Sequence, residues 1–326
     1  MTNIDVNENN KAEPIDFESA FELTKREVDR ALSASPSLIR EYTKHLSKST
    51  GKFIRAVSLL VCSEDENGLI DPDAVKLAAS IELLHLATLV HDDVIDNAEL
   101  RRGEVSLQKK YGKRTAVICG DYLLCVSLKT AASVRNKRDY LDLEVPDYMS
   151  RVCLGELNQH FNNGNFDLSV FKYLKIISGK TAALFEACFY AGAVLCGCEE
   201  AAIREYAKLG RYIGMIFQLT DDCMDFESTE SEARKPVQSD YEQSVITLPL
   251  IHALKNLSGL KEKARTGELT KDDINRAVIN TGGLGYTRLI AKKYYNKSSR
   301  IINELNITQD KKRKLTSILD KAFRVF

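Results

Sequence analysis

Residues 74–96 read AVKLAASIELLHLATLVHDDVID and contain neither glycine nor proline. Asp71 and Pro72 come shortly before them, and this order is typical of a helix N-cap followed by a proline in the first turn. The segment is therefore long enough to cross a domain as one helix. It ends in an acidic cluster, residues 92–96, that follows a mostly apolar run, so these carboxylates extend a helix that we expect to be buried.

Helical periodicity continues over most of the chain, and no convincing run of alternating apolar and polar residues predicts a strand. Further helices are predicted over Phe17–Leu32, Gly120–Val134, Tyr148–Asn162, Phe171–Cys198, Ala201–Phe226, Thr247–Leu257, Lys271–Thr281, Gly285–Leu305 and from Gln309 to the end. No Pro/Gly/Ser-rich linker divides the chain. We therefore predict a polar tail over residues 1–15 and one all-α domain over residues 16–326, a bundle around a deep central cavity with a lid over residues 227–244.

A second acidic cluster, Asp221-Asp222-Cys223-Met224-Asp225, repeats the spacing of the first. On a helix, residues i and i+4 lie on nearly one line, so each cluster presents two stacked carboxylates and a neighbour. Such like-charged pairs destabilise a helix by about a few tenths of a kcal/mol, which indicates that a cation neutralises them. Mg²⁺ typically binds one or two carboxylates together with water and substrate phosphate. One cluster alone could be a solvated helix end, but the matched pair favours a metal-held diphosphate.

The motifs in and around these clusters resemble those of the trans-polyprenyl diphosphate synthases, the polyprenyl synthetase family. They occur in order and cover most of the chain from about Asp16 onward. They are GK at 51–52 with Arg55, ELLH at 82–85, HDDVID at 91–96, RRG at 101–103, GDYL at 120–123, GEL at 155–157 with Gln159, GKT at 179–181, GMIFQLTDD at 214–222, DF at 225–226, KPV at 235–237 and TLPL at 247–250. The resemblance implies an isoprenoid-synthase-type bundle and, within the family, the medium- and long-chain hepta- or octaprenyl diphosphate synthases.

The resemblance also implies a reaction. Isopentenyl diphosphate condenses head-to-tail (1′-4) with an allylic prenyl diphosphate to give an all-trans product, with three Mg²⁺ ions per active site held by Asp92, Asp96 and Asp221. The residues assigned to catalysis are Asp92, Asp93, Asp96, Lys180, Asp221 and Asp222. The residues assigned to substrate binding are Lys52, Arg55, His85, Arg101, Arg102, Lys180, Thr181, Gln218 and Lys235.

Small side chains before the first cluster bear on product length. Thr88 lies one helical turn before Asp92, Ala87 is beside it, and Leu84 is a further turn below. Short-chain family members tend to carry an aromatic ring at this level as the floor of the cavity. We therefore predict a product longer than geranylgeranyl, in the hexa- to octaprenyl range, with a farnesyl or geranylgeranyl synthase as the alternative.

The chain departs from the family pattern near the predicted lid and at its end. Family members commonly have Gly-Lys shortly before TLPL, whereas this chain has Ser244-Val245, and the last three residues, 324–326, lack the charged tail of many members. A non-catalytic or partner-dependent subunit of a heteromeric synthase therefore stays open. A terpene cyclase would share the first cluster but usually replaces the second with an Asn/Ser/Glu motif.

Composition limits the other classes of function. Lys+Arg and Asp+Glu both number 46, so no net basic charge indicates a nucleic acid partner. The eight cysteines, without a secretory leader, indicate reduced thiols in a cytoplasmic protein. We interpret the tightly spaced pair Cys196-Gly197-Cys198 as buried apolar side chains. We expect a homodimer or a hetero-oligomer, and we expect the product to pass to a membrane enzyme.

Overall fold

The computed structural model describes residues 13–47, 51–134, 148–227 and 244–324. Most of the predicted tail, most of the predicted lid and the candidate phosphate ligand Lys235 lie outside these residues. The helices of the first part of the chain are α1 (Phe17–Ser33), α2 (Arg40–Ser47), α3 (Ile54–Ser63), α4 (Asp73–Ile95), α5 (Leu107–Tyr111) and α6 (Lys113–Ala131). The later ones are α7 (Tyr148–His160), α8 (Val170–Ile177), α9 (Ala183–Leu195), α10 (Glu200–Glu227), α11 (Leu248–Asn256), α12 (Leu260–Arg265), α13 (Lys271–Asn280), α14 (Gly283–Glu304) and α15 (Gln309–Phe323).

The predicted all-α architecture is confirmed. The helix predicted at residues 74–96 is α4, and Asp71 Oδ1 accepts a hydrogen bond from the Asp73 N–H at its start, 2.8 Å away. The predicted start of α6 at Gly120 is wrong, because the helix begins just after Gly112, whose positive φ of 87° ends the preceding turn. Gly120 instead lies inside α6 where it crosses α4; a Cβ there would be 2.3 Å from His91 Nε2.

A short two-stranded ribbon was not predicted. β1 (Leu100–Arg101) pairs antiparallel with β2 (Glu104–Val105) directly after the first acidic cluster. The residues between the strands, Arg102 and Gly103, have φ values of 55° and 83°, and two positive φ values are typical of tight hairpin turns. Each strand is too short for an alternating pattern to be recognised in the sequence.

In the described part of the chain the helices pack into a bundle around three apolar clusters. α3 packs between α4 and α9, α9 packs on α10, and α10 packs on α14, while α4 also packs along α1 and α6. Within the described residues only α4 has the length and apolar composition of a membrane-spanning helix, and it packs inside the bundle against these neighbours. Both acidic clusters lie at C-terminal ends of long helices, the first on α4 and the second on α10.

A π-helical turn, Ser178–Ala182, joins α8 to α9, and two helices approach it closely. Gly155 of α7 faces Gly179 so tightly that a Cβ on Gly155 would lie 2.1 Å from the backbone nitrogen of Lys180. On the other side, a Cβ on Gly214 of α10 would lie 2.6 Å from the Cα of Ala182. Glycine is therefore required at both crossings, and the extra residue of the π turn breaks the long helix that was predicted over residues 171–198.

We expect Gly155→Ala to lower the free energy of unfolding by about 1–3 kcal/mol, because the two backbones must move apart to admit the new methyl group. Gly285→Ala is the matched control, since a Cβ there meets nothing within 4 Å. Alanine in that helical position should stabilise the protein by roughly 0.5–1 kcal/mol. Urea denaturation followed by circular dichroism measures both values, and equal stabilities of the two variants would contradict the close approach.

Candidate active site

Asp92 and Asp96 share one face at the end of α4, and Lys180 of the π turn lies close to both. The Lys180 ammonium forms an ion pair with Glu156 of α7, with Nζ 2.9 Å from Oε2. Burial raises the pKa of Asp92 to about 7, although Lys180 favours the charged carboxylate. Burial likewise raises the pKa of Asp96, and Glu156 adds to the repulsion. The two aspartates are thus desolvated acids that a further cation would stabilise.

Asp93 has a different role from its neighbours. It is buried, and its Oδ1 accepts a hydrogen bond from Arg101 Nε at 2.8 Å, within an ion pair of the two side chains. Arg101 is the last residue of β1, so this pair attaches the ribbon to the end of α4. The structure therefore places both Asp93 and Arg101 in the support of the ribbon that presents Arg102.

The second cluster divides its aspartates in the same way. Asp222 is buried and accepts hydrogen bonds from the Tyr173 hydroxyl and from Gln218 Nε2, the latter at 2.8 Å. Burial raises its pKa to about 7. Asp221 is accessible, with 39% of its side chain exposed, and it pairs with Arg324 near the end of α15, 3.2 Å from Nη2. In each cluster, then, the first aspartate is accessible to a ligand and the second is held by the protein.

The π turn connects the two clusters. The Lys180 ammonium interacts electrostatically with Asp92 and Asp96. The next residue, Thr181, donates a hydrogen bond from Oγ1 to Gln218 Oε1 at 2.7 Å. Gln218 in turn binds Asp222, so one turn of backbone lies between the first and second acidic groups. Within the described residues no three His, Cys, Asp or Glu side chains are grouped to hold a metal ion by themselves. The donor set fits Mg²⁺ that takes one or two carboxylates here and completes its shell with water and phosphate.

A separate basic pocket lies beside α4, before the first acidic cluster along the helix. Val28, Leu32, Leu46, Gly51, Phe53, Glu82, His85, Leu86, Leu89 and Arg102 line it. The Arg102 guanidinium lies against Gly51, where a Cβ would be only 2.9 Å from Nη1 and Nη2. Burial lowers the pKa of His85 well below its usual range, and Arg55 and Arg102 lower it further, so the imidazole is neutral.

Arg55 lies beside this pocket and has an unpaired hydrogen-bond donor. It is buried over the ring of Phe185, 4.7 Å from the centroid, and its Nε has no hydrogen-bond partner in the described part of the chain. Buried polar groups normally have partners, so an unpaired guanidinium donor indicates a place for an anion. Glu82 supplies the opposing charge; its Oε1 accepts the Ala56 N–H at 3.0 Å. Lys52, which lies between the lining residues Gly51 and Phe53, is exposed.

The three residues predicted to set product length do not share one environment. Thr88 and Leu84 are partly exposed, and the Thr88 hydroxyl donates to the His85 carbonyl oxygen at 2.8 Å. Ala87 is buried in the apolar cluster that includes Cys119 and Leu123 of α6. A larger side chain at Ala87 would therefore enter the contact between α4 and α6.

Four residues of the site were not assigned from the sequence. Glu82 and Glu156 lie inside the quoted motifs ELLH and GEL, so their positions were available although their ion pairs were not. Tyr173 gave no signal, because only the fold brings α8 against Asp222. Arg324 gave none either; it pairs with Asp221 and lies 5.5 Å from the centroid of the Phe217 ring.

Comparisons with known proteins agree with this geometry. The Polyprenyl synthetase family model matches residues 36–280. The chain is 34% identical over 290 residues to heptaprenyl diphosphate synthase component 2 of Geobacillus stearothermophilus, covering 87% of this chain and 89% of that protein. It is 30% identical over 283 residues to octaprenyl diphosphate synthase of Escherichia coli, covering 82% and 84%.

Solved structures show the same fold. The crystal structure of heptaprenyl diphosphate synthase from Staphylococcus aureus superimposes with a TM-score of 0.86 at 28% identity, covering 95% of this chain and 99% of that one. A polyprenyl synthase from Caulobacter crescentus, complexed with calcium and isoprenyl diphosphate, gives 0.84 at 27% identity, covering 94% and 95%. The chain belongs to the polyprenyl synthetase family and is a prenyltransferase that makes trans-prenyl diphosphates.

Proposed function

We propose that the protein condenses isopentenyl diphosphate with an allylic prenyl diphosphate, 1′ to 4, in a Mg²⁺-dependent reaction. The observation that carries this proposal is the pair of separate anion sites. One lies between the accessible aspartates of the two clusters, where a cation is needed to hold a diphosphate against their negative charge. The other is the basic pocket around Arg102, which needs no metal ion. The polyprenyl synthase of Caulobacter crescentus, crystallised with calcium and isoprenyl diphosphate, supports this assignment.

The allylic diphosphate is assigned to the first of these sites. We propose that Asp92 and Asp96 on one side and Asp221 on the other hold three Mg²⁺ ions, which supply Lewis-acid stabilisation of the departing diphosphate. Lys180 contributes a fixed positive charge at the π turn. Its ion pair with Glu156 orients that charge in the free protein. Lys235 remains a candidate diphosphate ligand.

Isopentenyl diphosphate is assigned to the basic pocket. Arg102 can present two parallel N–H donors to phosphate oxygens, a geometry that lysine lacks. Arg55 contributes the Nε–H that has no protein partner in the described chain, and Lys52 contributes a further positive charge. Neutral His85 can accept or donate a hydrogen bond without repelling the arginines. The released diphosphate is the natural acceptor for the proton that the condensed product loses.

We further propose that the product is longer than geranylgeranyl, in the hexa- to octaprenyl range. The residues below Asp92 at Leu84, Ala87 and Thr88 are not aromatic, so they supply no ring that would close a cavity at this level. The relatives named heptaprenyl and octaprenyl diphosphate synthase support this range. We propose a cytoplasmic protein whose product passes to a membrane enzyme.

A partner-dependent subunit is the second candidate. Two relatives, from Geobacillus stearothermophilus and Bacillus subtilis, are named component 2 of heptaprenyl diphosphate synthase, which implies a further component in those enzymes. Large apolar side chains are also exposed on α6 and α7, such as Ile118, Leu154 and Leu157. These faces suit a subunit contact. We propose a homodimer, and a second type of subunit would be required if the purified chain alone is inactive.

Incubating the purified chain with farnesyl diphosphate, radiolabelled isopentenyl diphosphate and Mg²⁺ should give labelled polyprenyl diphosphates. Asp92→Asn and Asp221→Asn should each lower kcat at least about 100-fold, because metal ions contribute several kcal/mol to leaving-group stabilisation. Asp29→Asn, on the exposed surface of α1, is the matched control and should be fully active. Near-normal turnover of either site variant at saturating Mg²⁺ would reject the metal-clamp role.

Arg102→Ala should raise the KM for isopentenyl diphosphate roughly 10- to 100-fold while the KM for the allylic substrate changes little, since charged hydrogen bonds contribute about 1.5–3 kcal/mol. Arg102→Lys should give a KM for isopentenyl diphosphate between those of the parent protein and Arg102→Ala, because lysine keeps the charge but lacks the two parallel N–H donors. Arg26→Ala on the exposed side of α1 serves as control. A change confined to the Mg²⁺ requirement would mean that Arg102 belongs to the other diphosphate.

Ala87→Phe should shorten the product toward farnesyl or geranylgeranyl diphosphate, because the ring fills space between α4 and α6 beside the chain. Thr88→Phe, at the partly exposed position one turn below Asp92, should do the same with less disturbance of the core. Thin-layer chromatography of the dephosphorylated products measures chain length, and thermal unfolding checks the fold. If both active variants keep the parental product distribution, the floor of the cavity lies elsewhere.

A further inference from the structure

The turn between α9 and α10 carries two cysteines in a fixed backbone arrangement. Gly197, with φ of 72°, lies between them in the left-handed region. The Gly197 N–H donates to the Val194 carbonyl oxygen at 2.9 Å, and the Cys198 N–H donates to that of Ala193 at 3.1 Å. This pair of bonds is the Schellman arrangement that closes a helix. It places Cys196 and Cys198 on either side of a single glycine.

Cys196 lies next to a buried ammonium group. Lys311 of α15 is only 3% exposed, and its Nζ donates to the carbonyl oxygens of Cys62 and Glu64 at 2.8 and 2.6 Å. The same Nζ lies 3.8 Å from Cys196 Sγ. In its thiol form Cys196 donates to the Glu64 carbonyl oxygen at 2.9 Å. Once deprotonated, the sulfur can accept from Lys311 instead, so the thiolate has a cation already in place.

The two thiols also interact with each other. A hydrogen bond from Cys198 lowers the pKa of Cys196, and the charge of Lys311 lowers it further against the opposing effects of burial and of Asp65. The same bond raises the pKa of Cys198. Both side chains are partly exposed rather than buried as predicted, although Cys198 packs against the apolar core. The deeply buried thiols differ, because burial raises the pKa of Cys62 and Cys188.

We propose that Cys196 and Cys198 form a peroxide-reactive dithiol, in which Cys196 is the attacking sulfur, Cys198 the resolving thiol and Lys311 the group that holds the attacking sulfur as thiolate. In a turn, the Cα atoms of residues two apart are closer than the roughly 7 Å that separates them in an extended chain. A disulfide can span that shorter distance. The freedom of Gly197 permits the adjustment that closing the ring requires. The substrate class is a hydroperoxide.

The chemistry balances in two steps. The Cys196 thiolate attacks one peroxide oxygen; an S–O bond forms, the O–O bond breaks, and the departing alkoxide or hydroxide takes a proton from water. Sulfur is oxidised by two electrons to the sulfenic acid and the peroxide is reduced. The Cys198 thiol then loses its proton and attacks the Cys196 sulfur; the S–S bond forms, and the S–O bond breaks to release water.

The dithiol is remote from the two acidic clusters. α9 runs from the π turn to Cys196, about 20 Å at 1.5 Å per residue, and α10 runs a greater distance from Cys198 to Asp221. Its reactivity can therefore be measured by thiol chemistry whatever the prenyl substrates are.

The test uses the reduced full-length protein and hydrogen peroxide, with products identified by tandem mass spectrometry. We expect a disulfide between Cys196 and Cys198 as the first product. In Cys198→Ser the resolving thiol is absent, so a Cys196 sulfenic acid should be trapped by dimedone, with the fold and prenyl transfer unchanged. Cys125→Ser and Cys153→Ser are matched controls; these thiols are more exposed but make no hydrogen bond or ion pair among the described residues, and both variants should form the disulfide normally.

Alkylation by iodoacetamide below neutral pH gives a second measurement. Cys196 should react faster than Cys125 and Cys153, and Lys311→Met should slow it at least about tenfold, while Lys311→Arg keeps the rate within a few-fold. Lys311→Met also removes the donor to α3, so the Cys198→Ser result decides if that variant does not fold. Oxidation of Cys125 or Cys153 before Cys196, or the same products from the parent and Cys198→Ser, would overturn the proposal.

Discussion

The close crossing of α7 over the π turn, at Gly155 and Gly179, determines where Lys180 and Thr181 lie. Both acidic clusters depend on those two side chains. Lys180 faces the carboxylates of α4, and Thr181 holds Gln218 and, through it, Asp222 of α10. A regular helix over the same residues would turn the two side chains through a different angle, because the π turn inserts one extra residue. The distance between the two acidic clusters is therefore set by backbone packing rather than by the acids themselves.

The first and second aspartates of each acidic cluster differ in how the protein holds them. In each cluster the second aspartate is saturated by protein donors, Asp93 by Arg101 and Asp222 by Tyr173 and Gln218. The first aspartates are more accessible, although Asp92 lies near Lys180 and Asp221 pairs with Arg324. Desolvation raises the pKa of Asp92 to about 7, so a proton would compete with any metal ion for it near neutral pH. Because the second aspartates are held by protein donors, the first aspartates are the ones that a further cation can reach.

How far the sequence predicts this site differs between its parts. The length of α4 and the position of both clusters follow from local pattern, because helical periodicity and repeated acidic spacing are local properties. The π turn at Lys180 does not, and the sequence pattern predicts one helix across it. The division between Asp92 and Asp93 does not follow from local pattern either, since it depends on a ribbon of two-residue strands that returns Arg101 to α4. The prediction of a helix start at Gly120 was wrong because glycine is favoured both at helix termini and at close helix crossings. Here the close approach of His91 requires the glycine.

The last helix connects parts of the molecule that no local pattern relates. Near its first residue, Lys311 binds two carbonyl oxygens at the end of α3 and approaches Cys196; beyond its last turn, Arg324 reaches Asp221. Along its length α15 packs on α3, α10 and α14. A buried ammonium is costly to desolvate unless it is hydrogen-bonded, so Lys311 fixes the position of α15 against α3. The position of Arg324 then follows from the length of the helix, which is why a residue with no motif of its own is found at the second acidic cluster.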